Sequence, residues 1–361
     1  MKLVNNFNEI NEIHGWVKDR DPKDLVYITW VVTTTCNFKC TYCPTELHNG
    51  EYGFPEYQNI MYFIKNLADN LPDNAYVTFE LLGGEPTMWP KLINFISDAK
   101  NYFAKKNQDI IFQLDTNLSR TNRWWQRFKE ADLWDVVAVN SSYHADFCDP
   151  DLYYSNLEII SPLYQTHANI MLDPRHFEKI TTLMERIHDN LPVDTATKLL
   201  RPNLGSHKLV DGYTEPMLDY IKKNAKHKHQ FDRNRWEVPG YKKKWPMKIY
   251  FDGESGNFQN VILNQGHSLK GWKCSAGSRR FFIEPNGDIL PCSQMITPRI
   301  HLSNNERKRD YEGMKKNPYL MGNIHKKDFK ILKDYIVCPE NWCPCKIDTL
   351  AHKFKKEPVL K

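Results

Sequence analysis

Between Leu25 and Asn203, six short apolar runs alternate with longer segments whose apolar residues fall at helical spacing. The runs are Leu25 to Val32, Tyr76 to Leu82, Ile110 to Leu114, Trp134 to Asn140, Ala168 to Leu172 and Thr197 to Arg201. The spacing predicts helices over Tyr57 to Asn70, Trp89 to Lys105, Asn122 to Ala131, Leu152 to Tyr164 and His176 to Asn190. Strands separated by helices of this length argue for a parallel sheet. A full eight-fold barrel takes about 250 residues, so six units fit a partial (β/α)6 barrel better; a doubly wound open sheet also satisfies the pattern. From Pro246 the texture changes. Lys248 to Phe251, Asn257 to Leu263, Arg280 to Glu284 and Asp288 to Leu290 read as short strands, with turn chemistry at Glu254-Ser255-Gly256 and Pro285-Asn286-Gly287. The expected class is α/β, a partial (β/α)6 barrel followed by a small C-terminal β-rich module. The expected boundaries are an N-terminal extension over 1–24, the barrel over 25–205, a basic aromatic linker over 206–246, and the module and tail over 247–361.

The first apolar run leads into Thr33-Thr34-Thr35-Cys36-Asn37-Phe38-Lys39-Cys40-Thr41-Tyr42-Cys43-Pro44, a CxxxCxxC loop. Three thiolates on one short loop can hold three irons of a [4Fe–4S] cube and leave the fourth iron open. Zinc would want four ligands and more often paired CxxC knuckles; His48 is the only nearby candidate for a fourth. Disulfides fit poorly, because nine cysteines is an odd number and no signal core precedes them.

The second strand ends in Leu81-Leu82-Gly83-Gly84-Glu85-Pro86-Thr87. Two glycines let backbone approach a ligand closely, and Pro86 stiffens the exit. CxxxCxxC with an aromatic residue before its last cysteine, followed by GGEP after the next strand, resembles the signature of radical S-adenosylmethionine (SAM) enzymes. That resemblance implies the partial barrel. It also implies a SAM-binding [4Fe–4S] cluster on Cys36, Cys40 and Cys43, with Tyr42 near the adenine and Gly83, Gly84, Glu85 and Pro86 around the methionine ammonium. In such barrels the working groups collect at the C-terminal strand ends. The third end offers Asp115, Thr116 and Asn117, the last two also good helix caps. The fourth offers Ser142 and His144, the fifth Asn169, and the sixth Arg201, able to pair with a carboxylate. Cys148 is a candidate hydrogen-atom donor or an ordinary buried thiol.

Five cysteines come late: Cys274, Cys292, Cys338, Cys343 and Cys345. Cys274 and Cys292 form CX12GX4C around Gly287, similar to half of the SPASM and twitch extensions of the same family. Gly322-Asn323 adds a turn common there. Cys338-Pro339-Glu340-Asn341-Trp342-Cys343-Pro344-Cys345 departs from the full SPASM pattern, so one auxiliary [4Fe–4S] cluster with one thiol to spare is expected. A structural zinc on four of these thiolates is the competing reading.

Hydrophobic residues make up 41% of the 361 and aromatics 13%, enough for a proper core. No apolar run approaches the roughly 18 residues of a membrane helix, and Met1 to Trp16 is polar, so a cytoplasmic protein is expected. The net charge of +5 is uneven: Lys222 to Lys248 is basic, with Phe231, Trp236, Tyr241 and Trp245 interleaved. A solvated linker accounts for that stretch better than nucleic-acid contact does. The family chemistry implies reductive SAM cleavage and hydrogen abstraction from a C–H bond, with a reductant such as flavodoxin or ferredoxin. The leading expectation is net oxidation of a sugar-like small molecule. Modification of a peptide or protein runs close behind, and modification of nucleic acid is third.

Overall fold

The computed structural model describes residues 10–16, 20–202, 208–228, 248–251, 254–255, 268–295, 319–339, 343 and 350–355. After β1 (Glu12–Trp16), six parallel strands follow one another: β2 (Leu25–Val31), β3 (Tyr76–Leu82), β4 (Asp109–Thr116), β5 (Val137–Tyr143), β6 (Gln165–Leu172) and β7 (Asp194–Leu199). They pair strictly in sequence order, β2 to β7. The helices between them are α1 (Tyr57–Asp69), α2 (Leu92–Lys105), α3 (Asn122–Glu130), α4 (Pro150–Ile160) and α5 (Phe177–Asn190), with α6 (Glu215–Lys228) after the last strand. This is the partial (β/α)6 barrel that the alternation implies.

Burial explains the sequence pattern. All seven residues of β2 are buried, as expected of a strand covered on both faces. In β5 and β6, and in β4 from Phe112 on, every second residue is buried and the alternate ones are half-exposed; Ile111 of β4 is buried as well. The buried set meets the helices; the alternate set lines the barrel lumen. Helix α1 buries Ile60, Met61, Phe63, Ile64, Leu67 and Ala68, and α2 buries Leu92, Phe95, Ile96, Ala99 and Phe103, each a single face. Trp30 is 1% exposed and makes edge contacts with Phe79, Trp89 and Phe95, tying β2, β3 and α2 together. Helix starts are capped: Thr121 accepts from Trp124 N, and Asp149 accepts from Asp151 N and Leu152 N ahead of Pro150.

The late segments divide between two sheets. They supply β8 (Lys248–Phe251), β9 (Glu254–Ser255), β10 (Lys273–Cys274), β11 (Arg280–Ile283), β12 (Asp288–Leu290), β13 (Gly322–Asn323), β14 (Ile336–Val337) and β15 (Lys353–Phe354). The β11–β12 hairpin does not stand apart from the barrel. Strand β11 pairs parallel to β2, Arg280 opposite Tyr27 and Ile283 opposite Trp30, so the hairpin and β13 extend the barrel sheet to nine strands. The others form a six-stranded sheet in the order β14-β10-β15-β1-β8-β9, which takes in the N-terminal strand. The expected strand Asn257 to Leu263, and the basic aromatic stretch beyond Lys228, lie outside the described residues. Among the described residues no helix is long and apolar enough to cross a membrane.

Candidate active site

The cysteine loop leaves β2 and is held flush against the glycine turn at the end of β3. Gly84 N donates to Thr33 O at 2.8 Å and Glu85 N to Thr35 O at 2.9 Å. Gly83 sits at φ +130°, and a β-carbon there would lie 2.5 Å from Thr33 O. One on Gly84 would lie 2.2 Å from Thr35 O and 2.5 Å from its carbonyl carbon. Both contacts are with backbone, which cannot swing away. The glycine pair is therefore needed for the approach to the chain feeding Cys36.

Glu85 is fully buried and serves as a brace. Its carboxylate accepts from Thr87 N at 3.1 Å, the Thr87 hydroxyl, Thr116 Oγ1 at 2.7 Å and Asn117 N at 2.6 Å. Burial pushes its pKa up, and the four donors pull it back. It joins the end of β3 to the end of β4 and is not among the residues lining the adjoining cavity. Pro86 is likewise buried, opening a short 3-10 turn.

That cavity, of ≈ 260 Å³, brings most of the expected residues together. Its wall carries Cys36, Cys40 and Cys43, Gly83 and Gly84, Thr116 and Asn117, and Ser142 and His144. Burial pushes the Cys36 thiol pKa up, that of Cys40 to about 11 and that of Cys43 to about 12; the charge of Glu85 adds to the first, and neighbouring thiols add to the other two. Three crowded thiols that resist ionising alone suit a cationic metal centre, which reverses that penalty. Phe38 N donates to Cys36 Sγ at 3.3 Å, and Asn117 Nδ2 approaches it at 3.9 Å. Tyr42 hydroxyl pairs with His144 Nδ1 at 2.8 Å, their rings stacked at 5.8 Å. Burial lowers the His144 pKa to about 4, so it is neutral at ordinary pH.

Other expected residues stand elsewhere. Cys148 is 4% exposed, belongs to the hydrophobic core, and has its pKa raised to about 12, chiefly by burial. Asn169 donates to Asn140 Oδ1 at 2.8 Å, deeper in the lumen. Arg201 is exposed beyond β7. Cys345 lies outside the described residues.

Sequence reasoning passed over Phe38 and Leu82, which also line the cavity, as does Asp115 of the third strand end. Asp115 stands on the same face of β4 as Gln113, two residues away. It anchors a polar array across the lumen. Asp115 Oδ1 accepts from Asn140 Nδ2 at 2.7 Å and Gln113 Nε2 at 3.1 Å. Glu80 accepts from Gln113 at 3.3 Å and from Thr29 at 2.8 Å. Burial, then the charge of Glu80, raises the Asp115 pKa to about 7. An unfolded Asp titrates near about 3.9, so the folded chain holds that proton more tightly. The resulting stability is complete below about pH 4 and is lost as pH rises through about 7. Asp115→Asn keeps the Oδ1 acceptor without the charge. It is expected to raise the melting temperature at pH 8 by about 2–4 °C, the scale of about 1 kcal/mol here, and to leave it little changed at pH 5. Equal shifts at both pH values would assign the effect to something other than the carboxyl.

The late cysteines form a second centre. Cys274, Cys292, Cys338 and Cys343 line one cavity with Arg280 and Lys353. The β10 strand carries Cys274, the hairpin delivers Cys292, and Cys338 N donates to Trp272 O at 2.8 Å. Four thiols around one space are a complete ligand set. The two sets lie toward opposite ends of the barrel strands. The early loop leaves the C-terminal end of β2, whereas Arg279 reaches Lys23 O just before its N-terminal end.

Two family models match the chain. The radical SAM superfamily covers residues 30–204, and the SPASM iron–sulfur cluster-binding domain covers 274–334. The chain is therefore a radical SAM protein with a SPASM-type domain, and its cofactors are a SAM-binding [4Fe–4S] cluster, SAM and auxiliary iron–sulfur. Among curated proteins it is similar to GTP 3',8-cyclase of Haemophilus influenzae, 27% identical over 133 residues in one strain. That match takes in 37% of this chain and spans about a third of the relative's length, 36%. Among solved structures, anSMEcpe with bound AdoMet is 14% identical at a TM-score of 0.48, covering 86% of this chain and 80% of that one. SuiB of Streptococcus suis bound to S-adenosylmethionine is 13% identical at 0.43, covering 82% and 66%. BtrN in complex with AdoMet and 2-DOIA is 14% identical at 0.34, covering 84% and 79%.

Proposed function

We propose that this radical SAM enzyme oxidises a C–H-bearing carbon of a small, hydroxyl- or amine-rich molecule, with a second iron–sulfur cluster taking up the surplus electron. The observation that carries this reading is the polar lumen. Glu80, Gln113, Asp115, Asn140 and Asn169 form a continuous hydrogen-bonded array beside the cavity of Cys36, Cys40 and Cys43. Such a lining suits a polyol or amino sugar better than an apolar side chain.

Cys36, Cys40 and Cys43 would hold the first cluster, which when bound supplies the electron that cleaves SAM to a 5'-deoxyadenosyl radical. The chain's own residues do the rest. Gly83 and Gly84 present bare backbone to the cavity, and Glu85 keeps the β4 end, with Thr116 and Asn117, in place beside it. His144, backed by the stacked ring of Tyr42, would form part of the cavity wall. Asp115, with a pKa near neutrality, is suited to accept the substrate hydroxyl proton. Oxidation of an alcohol to a carbonyl would then balance: Asp115 would take the hydroxyl proton, and the carbon-bound hydrogen would be lost as an atom to the chemistry SAM supplies when bound. The one electron left over would suit the group that Cys274, Cys292, Cys338 and Cys343 would hold.

Anaerobically reconstituted protein is expected to carry about eight irons, two cubes' worth, and with dithionite to release 5'-deoxyadenosine from SAM. Offered C-deuterated amino sugars and aminocyclitols, it should transfer deuterium into 5'-deoxyadenosine. Transfer from a peptide and from none of the small molecules would overturn the substrate class in favour of peptide modification.

A further inference from the structure

Two cations are buried against the late thiols. Arg280 is 0% exposed and Lys353 2%, and both line the cavity of Cys274, Cys292, Cys338 and Cys343. Backbone pairing sets their positions. Lys353 of β15 stands directly opposite Cys274 of β10 in an antiparallel ladder, and directly opposed residues project from the same face. Arg280 opens β11, and Cys292, two residues past the end of β12, lines the same cavity. Each cation thus shares the cavity wall with the cysteines. Among the described residues lining the cavity, Arg280 and Lys353 carry the only formal charges apart from the thiols. Arg280 Nη1 donates to the Phe281 and Tyr27 carbonyls and Lys353 Nζ to Ala351 O, which holds both head groups at fixed points.

Burying a cation is expensive unless a negative charge lies close by. A cube held by four thiolates is such a charge, and its potential responds to the net charge and hydrogen bonds around it. We propose that Arg280 and Lys353 set the reduction potential of the late cluster, holding it high enough to accept the one electron left on a substrate that has lost a hydrogen atom and a proton. This rests on the reading of the late cysteines as an iron–sulfur site. A cation stabilises the more negative, reduced cluster over the oxidised one, so each residue raises the midpoint. They are tuning residues and touch neither SAM nor substrate.

The test uses the full chain with Cys36, Cys40 and Cys43 replaced by Ala, so that only the late cluster remains, in an EPR-monitored redox titration. Lys353→Met and Arg280→Gln are each expected to raise the oxidised-to-reduced ratio at fixed ambient potential about tenfold, a fall of about 59 mV for a one-electron couple. Arg280→Lys, which keeps the charge, should retain the parent midpoint. A Lys353→Met protein with full iron content and an unmoved midpoint would overturn the proposal. So would an Arg280→Lys midpoint that falls as far as a charge-removing change. Should Arg280→Gln fail to assemble its cluster, Lys353→Met and Arg280→Lys decide. A parent variant that binds no iron at all overturns the late-cluster reading itself and this inference with it.

Discussion

Replacing Cys36, Cys40 and Cys43 together with Ala is expected to bring dithionite-driven release of 5'-deoxyadenosine from SAM down to that of a protein-free control. The iron content should fall by about half, from about eight to about four per chain, because the late set keeps its own cube. The reason is geometric. The three thiols share one cavity wall, and no other described cysteine lines it. Cys148 is buried in the hydrophobic core, and the late thiols sit toward the far end of β2. Among the described residues no other thiol is in reach to replace a lost one. Chromatography of 5'-deoxyadenosine and an iron assay on the same sample check both halves. Cleavage persisting in the triple variant would end the assignment of this loop as the SAM-binding site.

Gly84→Ala is expected to do nearly as much harm with one methyl group. The added carbon meets Thr35 O at 2.2 Å, well inside any real contact, so the glycine turn must lift away from the cysteine loop. Lifting it breaks the bonds from Gly84 N to Thr33 O and from Glu85 N to Thr35 O. Overpacking of this kind costs about 1–3 kcal/mol, and each buried backbone bond lost adds about 1 kcal/mol. Urea unfolding should show the stability loss, and equilibrium dialysis should show SAM affinity at least about tenfold weaker, since tenfold is only about 1.4 kcal/mol. Gly53→Ala is a useful control for the assay, because nothing lies within 4 Å of its added carbon and its φ is not positive. A Gly84→Ala enzyme with unchanged SAM affinity would mean that the glycine turn does not shape the cofactor cavity.

Much of this barrel was legible because its apolar runs end at chemical punctuation. Tyr76–Leu82 reads residue for residue as a strand, since Gly83 stops it. The run expected over Trp134 to Asn140 was misplaced. The structure spends its first residues on a turn, with Val136 N and Val137 N both donating to Leu133 O. It then continues the strand through Asn140, Ser141, Ser142 and Tyr143. Those polar residues hid the strand because they answer to two different faces. Ser141 is buried and bonded to the Tyr153 hydroxyl, whereas Asn140 belongs to the lumen array. Strand β6 likewise begins at Gln165, earlier than its apolar content suggested, and β7 at Asp194. The cysteine and glycine motifs could be read because each is local. Asp115 could be placed at a strand end but its role could not be read, since its partner Asn140 becomes a neighbour only through strand pairing. Nor could the parallel seat of β11 beside β2, or the docking of β1 between β15 and β8, which join residues hundreds of positions apart.

That seat of β11 fixes more than topology. Because the hairpin carrying Cys292 is hydrogen-bonded into the strand that carries the first cysteine loop, the two thiol sets share one stiff plank. A seven-residue strand such as β2 is about 20 Å long. On the proposed function, an electron would cross a distance set by the fold itself, and no docking of a mobile arm would be needed to close that path.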